Sequence, residues 1–190
     1  MNKMNTCVFV RFSVKMKSFR NWNKEPSQKR TMWLEKRISL FQKITLESLL
    51  NQTHKPDCIC LLIDKDDEDI IHKSFGHIPE IMTVIIPENT NISQQERIVG
   101  ENLKDNYYNQ PLLVMRLDSD DLLFSDYIEE IVKKVNAKTP NGTLLISTSG
   151  LLTNLKYYQS LTHNSPPFVS VFYNQYKGQL DLGGNHTKIL

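Results

Sequence analysis

Three carboxylates fall within four consecutive positions, at Asp118, Asp120 and Asp121, with Ser119 between the first two. The segment 116–121 (RLDSDD) follows directly on the apolar run 111–117 (PLLVMRL) and precedes Leu122, Leu123 and Phe124. Carboxylates this close repel one another unless a cation or strong hydrogen-bond donors neutralise them. Oxygen-rich clusters of this kind suit Mg²⁺ or Mn²⁺, usually shared with substrate phosphates. A cation there would hold a nucleoside diphosphate and offset its charge as it departs. Asp and Ser are also ordinary turn residues, so a solvated turn is the competing reading of the same six residues.

The elements around this cluster follow from the apolar pattern. Residues 6–14 (TCVFVRFSV) are β-prone and open the chain as a strand. Leu34, Ile38, Phe41, Ile44, Leu46 and Leu49 recur at helical spacing, which predicts a long amphipathic helix over 32–51. The run 58–63 (CICLLI) is continuously apolar, as in a strand covered on both faces, and it ends at Asp64 before the acidic segment 65–69. A third strand is expected over 81–86. A helix should follow to about residue 108, with Ser93 as its N-cap and Glu96 as the capping-box partner. The fourth strand is 111–117, a further helix 125–137, and a fifth strand 144–147 after the Asn141-Gly142 turn.

Alternation of strands and helices predicts an α/β fold, with a mainly parallel central sheet and helices on both faces. Such sheets bind ligands beyond the carboxyl ends of their strands. Three polar features occupy those ends: residues 11–13, Asp64, and residues 118–121. The architecture should place them on one rim. Arg11 could there contact a donor phosphate or base, or simply face water at the sheet margin. Packing is the default for Trp22 and Trp33.

Composition narrows the class. The chain has 190 residues, 39% hydrophobic and 23% charged, which fits one globular domain over 1–190, alone or within a longer protein. A formal net charge of +2 gives no electrostatic case for nucleic acid as a partner. No stretch approaches the ~20 apolar residues of a membrane span. Basic residues interrupt any signal-like run at the N-terminus. Cys7, Cys58 and Cys60 lie in predicted strands and read as small core residues rather than a disulfide or metal framework. The expected compartment is reducing and cytoplasmic.

The segment 114–123 (VMRLDSDDLL) resembles the DxD region of GT-A (Rossmann-like) glycosyltransferases, and 38–64 resembles their opening helix, "S-L-x-N-Q-T" turn and second strand. More narrowly, the chain resembles the rhamnosyltransferase family. The features are VRFSV (10–14), Arg37 with LF, SLLNQT (48–53), MRLDSDD (115–121), PPFVS (166–170) and NHTKI (185–189). The resemblance implies transfer of a sugar, rhamnose by the family's name, from a nucleotide diphosphate donor to a glycan acceptor, with Mn²⁺ or Mg²⁺ as cofactor. It implies that Asp118 binds donor ribose or a metal-bound water, that Asp120 ligates the metal, and that Asp121 is a second ligand or anchor.

Asp64 would meet the nucleotide base or ribose, although the segment reads Asp64-Lys65-Asp66-Asp67 where the family usually has DDGS. A late histidine completes the metal site in many such enzymes, which points to His186, with Gly183-Gly184 allowing close backbone approach. Arg97 resembles an arginine placed near the diphosphate, and a solvated helix face is its alternative. An inverting transferase needs a base for the acceptor hydroxyl, and bases in this fold commonly follow the DxD. Beyond Glu130 the one acidic residue is Asp181, which becomes the candidate. Two rival readings stay open. A sugar-phosphate nucleotidyltransferase should carry a Gly-rich basic loop after the first strand, whereas residues 15–29 are basic but contain no glycine. A catalytically silent glycan-binding or scaffold module should have lost metal-dependent nucleotide binding.

Overall fold

Four strands that end on a common rim frame the molecule. The computed structural model describes residues 3–14, 27–75, 78, 80–136, 138–147, 149–153, 158–162 and 168–180. Strands β1 (Asn5–Arg11), β2 (Cys58–Ile63), β3 (Ile81–Ile85) and β4 (Leu112–Asp118) pair in parallel in the order β3-β2-β1-β4. The sheet continues through two strands from the second half of the chain, β5 (Thr143–Ser147) and β8 (Phe168–Tyr173). Strand β8 lies between β4 and β5 and runs antiparallel to both. A separate two-stranded ribbon joins β6 (Ser149–Thr153) to β7 (Tyr158–Thr162). The expected mainly parallel α/β sheet is therefore present, with β8 its reversed strand among the described residues.

Each face of the sheet has its own core. On one face, Val8, Val10, Ile59, Leu61, Ile63, Leu113, Met115 and Leu117 meet Leu34 and Ile38 of α1 (Ser27–Leu40). They also meet Ile71 and Phe75 of α3 (Glu68–Phe75), and Ile128 and Ile131 of α5 (Tyr127–Lys134). On the other face, Cys7, Phe9, Cys58, Cys60, Leu62, Leu112 and Val114 meet Val99 and Leu103 of α4 (Ile92–Tyr107). Alternation along each strand assigns the residues to the two faces. All six residues of β2 are buried, as expected of a strand covered on both sides. Cys58 and Cys60 share one face, and both are buried free thiols.

The predicted long helix is one helical stretch, but not a uniform one. Helix α1 passes into a π-helical turn, Phe41–Leu46, and then into α2 (Glu47–Leu50). Phe41 of that turn, Phe12 beyond β1 and Phe75 of α3 stack edge-to-face in a triangle, with ring centroids 5.1–5.7 Å apart. Several boundaries differ from expectation: β1 stops at Arg11 rather than reaching 14, and α1 begins at Ser27 rather than 32. Helix α4 starts at Ile92 because Asn91, not Ser93, is its cap. The Asn91 side chain accepts from the Gln94 N–H at 2.9 Å, and Gln94 returns the bond to the Asn91 N–H at 2.8 Å. Glu96 is then buried inside the helix instead of closing a box. Helix α5 starts at Tyr127, after a turn in which the Tyr127 N–H donates to Phe124 O. Residues 65–69, an acidic segment to which the sequence assigned no element, form a 3-10 turn (Lys65–Asp67) that leads into α3.

After β8 the chain turns back as a strap against α4. Tyr176 exchanges backbone hydrogen bonds with the end of that helix, accepting from the Asn109 N–H and donating to Gln110 O. Its hydroxyl donates to Gly100 O at 2.8 Å. Gly178 adopts a positive φ of 86°, and a Cβ built on Gly100 would lie 3.0 Å from Gly178 O and 3.2 Å from Leu180 N. The strap thus runs antiparallel to α4, toward the helix end nearest the rim.

Gly100→Ala tests this packing. Helix propensity alone favours alanine by about 1 kcal/mol. The contact with strap backbone should outweigh that gain and destabilise the protein by about 1–2 kcal/mol in denaturant titration. A variant as stable as the parent, or more so, would mean that the strap yields freely.

Candidate active site

The strand order places a topological switch between β1 and β4. From β1 the chain moves through α1 to β2 on one side, and from β3 it returns through α4 to β4 on the other. The crevice beyond the carboxyl ends at such a point is where open α/β sheets bind ligands. The two residues that flank it are Arg11 and Asp118, which are register partners across the β1–β4 pair. Arg11 Nη2 donates to Asp118 Oδ1 at 3.1 Å.

Beyond β4 the acidic segment closes into a turn in which the Asp121 N–H donates to Asp118 O at 3.2 Å. Asp118 and Asp120 remain about half exposed, whereas Ser119 is fully buried and its Oγ has no hydrogen-bond partner among the described residues. Burial, followed by the charges of Asp118 and Asp120, pushes the Asp121 carboxyl up to about 6. A backbone hydrogen bond from Asp118 and the charge of Arg37 oppose that rise. Arg37, on α1, brings Nη1 to 3.6 Å from Asp120 Oδ2, and its guanidinium carbon sits 5.5 Å from the Trp33 ring centroid. Trp33 also packs against the core, as its default reading anticipated.

Beneath the turn, Arg116 is buried on the same face as Asp118. Burial and the charge of Arg11 press its pKa down, while Asp118 and the buried Glu96 hold it up. Asp64 is buried at the end of β2. Its side chain accepts from the Asp66 N–H at 2.9 Å, and its own N–H donates to Ser13 Oγ at 3.2 Å. Arg30 ties the same corner together, bonding both carboxylate oxygens of Asp67 and donating to Ser13 O.

The loop that carries the acidic turn into α5 is held from below by the SLLNQT segment. Gln52 is buried. Its Nε2 donates to Ser48 O at 2.9 Å and to Phe124 O at 2.7 Å, and its Oε1 accepts from the Ile128 N–H at 3.1 Å. Ser48 Oγ accepts from the Leu123 N–H, and the Thr53 N–H donates to Ser125 O. One side chain therefore satisfies groups on both sides of the loop, which fixes where the three carboxylates stand.

Of the residues singled out in the sequence, the structure gathers Arg11, Asp118, Asp120 and Asp121 at one place. Asp64 lies two strands over on the same rim, where it caps the turn after β2. Arg97 lies exposed on α4 with its Nη1 2.6 Å from Glu101. Asp181 and His186, like Trp22, lie outside the described residues. Arg37 and Gln52 were missed as site residues, although both lie in segments that carry the family resemblance.

Among the described residues no group of three or more His, Cys, Asp or Glu side chains stands ready to hold a metal. The donor set nonetheless suits a hard divalent cation of the Mg²⁺ type, which uses one or two carboxylates and completes its shell with water and substrate phosphate. Burial raises the Asp121 carboxyl, and the charges of Asp118 and Asp120 beside it add to the rise.

That elevation has a pH signature. A carboxyl whose folded-state pKa is raised contributes stability below its unfolded value near 3.8 and loses it as pH rises through about 6. Asp121→Asn should therefore raise the melting temperature relative to the parent at pH 7–8 and lose that advantage by pH 4. A difference that stays constant from pH 4 to pH 8 would contradict the electrostatic account of the turn.

A family model described as "Putative rhamnosyl transferase" matches residues 7–169. One solved structure that resembles the chain is the "4-diphosphocytidyl-2C-methyl-D-erythritolsynthase" from Anaerococcus prevotii DSM 20548. It shares 17% identity over 90% of this chain and 72% of that one, with a TM-score of 0.43. No curated protein matches by sequence. No helix among the described residues is long and apolar enough to cross a membrane. The family match spans the switch-point crevice, the acidic turn and the segment that clamps it, and the chain belongs to this rhamnosyltransferase family of glycosyltransferases.

Proposed function

We propose that the protein transfers a sugar, rhamnose on the family's description, from a nucleoside diphosphate donor to a hydroxyl of a glycan acceptor. On this reading residues 1–190 act as one catalytic domain that depends on Mn²⁺ or Mg²⁺. The observation that carries the proposal is the pairing of Arg11 with Asp118 across the switch point, beside two further carboxylates. A crevice that holds both signs of charge at this position suits a ligand that brings a cation and a diphosphate together.

Asp118, Asp120 and Asp121 would hold the cation, with His186 as a further ligand from the C-terminal segment. When bound, the cation offsets negative charge on the departing diphosphate. Arg11 faces the phosphates, and the buried Arg116 adds positive potential beneath them. Asp118 and Asp64 serve the ribose and base side of the donor. Arg97 would reach the diphosphate only by leaving Glu101. Asp181 takes the proton from the acceptor hydroxyl, as an inverting transfer requires.

Two measurements test the reading. Asp120→Asn should abolish Mn²⁺-dependent nucleotide binding in calorimetry and cost little stability, since an amide is a poor substitute for a ligating carboxylate. Donor affinity equal to the parent's would remove the metal from the mechanism. Asp181→Asn should leave donor affinity nearly intact while kcat falls by about 10²–10⁴-fold. His186→Ala should instead weaken metal-dependent donor binding. Sugar transfer by Asp181→Asn at close to the parental rate would place the base elsewhere or make the enzyme retaining.

A further inference from the structure

We infer that Arg37 is a diphosphate-binding residue that, in the free protein, serves as the counter-ion of Asp120 and gives up that place to the divalent cation. The inference rests on the metal-dependent reading above and goes beyond it by assigning a residue and a charge exchange.

Three observations carry it. The contact between Arg37 Nη1 and Asp120 Oδ2 is 3.6 Å, close enough for charge attraction but beyond a formed hydrogen bond. The guanidinium is steadied over the Trp33 ring, so its orientation does not depend on Asp120. Arg37 Nε is buried and makes no hydrogen bond among the described residues. A guanidinium presents five N–H donors in a planar fork that matches phosphate oxygens. At Arg37 that fork stands beside the acidic turn with its buried Nε unspent among the described residues, which is unusual for a buried polar atom with only a structural role.

Arg11 and Asp118 form the parallel case across the crevice, there with a 3.1 Å hydrogen bond. Both exposed carboxylates of the turn are thus matched with arginines on separate elements, β1 and α1. A divalent cation that takes Asp120 displaces the positive charge of Arg37 from its partner. A diphosphate bound with that cation then offers the freed guanidinium a new anion. Metal and diphosphate consequently help each other bind, while each alone must oppose an existing ion pair.

The two halves of the exchange predict effects of opposite sign, which a merely structural arginine would not produce. In Arg37→Gln, Mn²⁺ alone should bind about two- to fivefold more tightly, the equivalent of one exposed ion pair no longer competing. Inorganic pyrophosphate in saturating Mn²⁺ should bind about tenfold or more weakly, through loss of charge-assisted hydrogen bonds. Arg37→Lys keeps the charge without the fork. It should hold the parental Mn²⁺ affinity and lose part of the pyrophosphate affinity, and it also serves if the Gln variant folds poorly. Calorimetry gives both constants, with circular dichroism and melting curves to establish folding.

Pyrophosphate affinity unchanged in both variants, or Mn²⁺ affinity lowered in Arg37→Gln, would overturn the inference and leave the metal-dependent reading in place. A folded parent that binds neither Mn²⁺ nor Mn²⁺-pyrophosphate would overturn both.

Discussion

The parallel register between β1 and β4 is the constraint on which the site depends. Strand β1 lies inside the sheet with five consecutive buried residues, and it pairs with β2 on one side and β4 on the other. A slip of one residue would turn Val8 and Val10 out of one core and Cys7 and Phe9 out of the other. Because both faces are packed, such a slip is heavily penalised, and the register is as fixed as the core itself. Arg11 opposite Asp118 is a consequence of that register. The same alternation puts Arg116 beside Asp118 on the α4 face and turns Ser119 inward. Apolar packing thus determines which charges meet at the rim.

Around this fixed pair the molecule builds supports of different kinds. The phenylalanine triangle anchors the end of β1 to the π-helical turn and α3 by shape and ring electrostatics. The Arg30–Asp67 pair joins the start of α1 to the loop after β2. Gln52 does the same for the loop after β4 with neutral hydrogen bonds, donating to Phe124 and accepting from Ile128. A neutral amide suits this position: a carboxylate there would add a fourth negative charge near the acidic turn and could not donate to Phe124 O. These buried contacts leave the exposed carboxylates fixed in position yet accessible.

Most of the parallel sheet was legible in the sequence because its strands are short apolar runs with clear stops. Strand β2 was expected over 58–63 and occupies those residues, and the common rim followed from the strand order. The cap of α4 was misplaced because Asn91-x-x-Gln94 and Ser93-x-x-Glu96 have the same spacing. Burial decides between them, since Glu96 faces the interior near Arg116. Helix α3 was hidden by its brevity and by the acidic residues that open it. In the site, the aspartates stood out because three of them fall within four positions. Arg37 did not, because an arginine on an amphipathic helix looks the same whether it meets water or Asp120. Gln52 read as part of a polar turn because Phe124 and Ile128, the partners that tie it to the site, lie more than seventy positions away.

The place of β8 in the sheet has a consequence for how the protein is made. Strand β5 is synthesised before β8, yet among the described residues it pairs only with β8, and β8 fills the edge of β4. While a ribosome extends the chain from residue 119 through 167, the hydrogen-bonding edge of β4 lacks its final partner. At ordinary elongation rates of about 5–20 residues per second, that interval lasts several seconds. The exposed edge belongs to one of the most apolar strands in the molecule, Leu112 to Leu117. Such an edge is a template for pairing with another nascent chain. Successful synthesis thus depends on a late strand arriving before a neighbouring chain does.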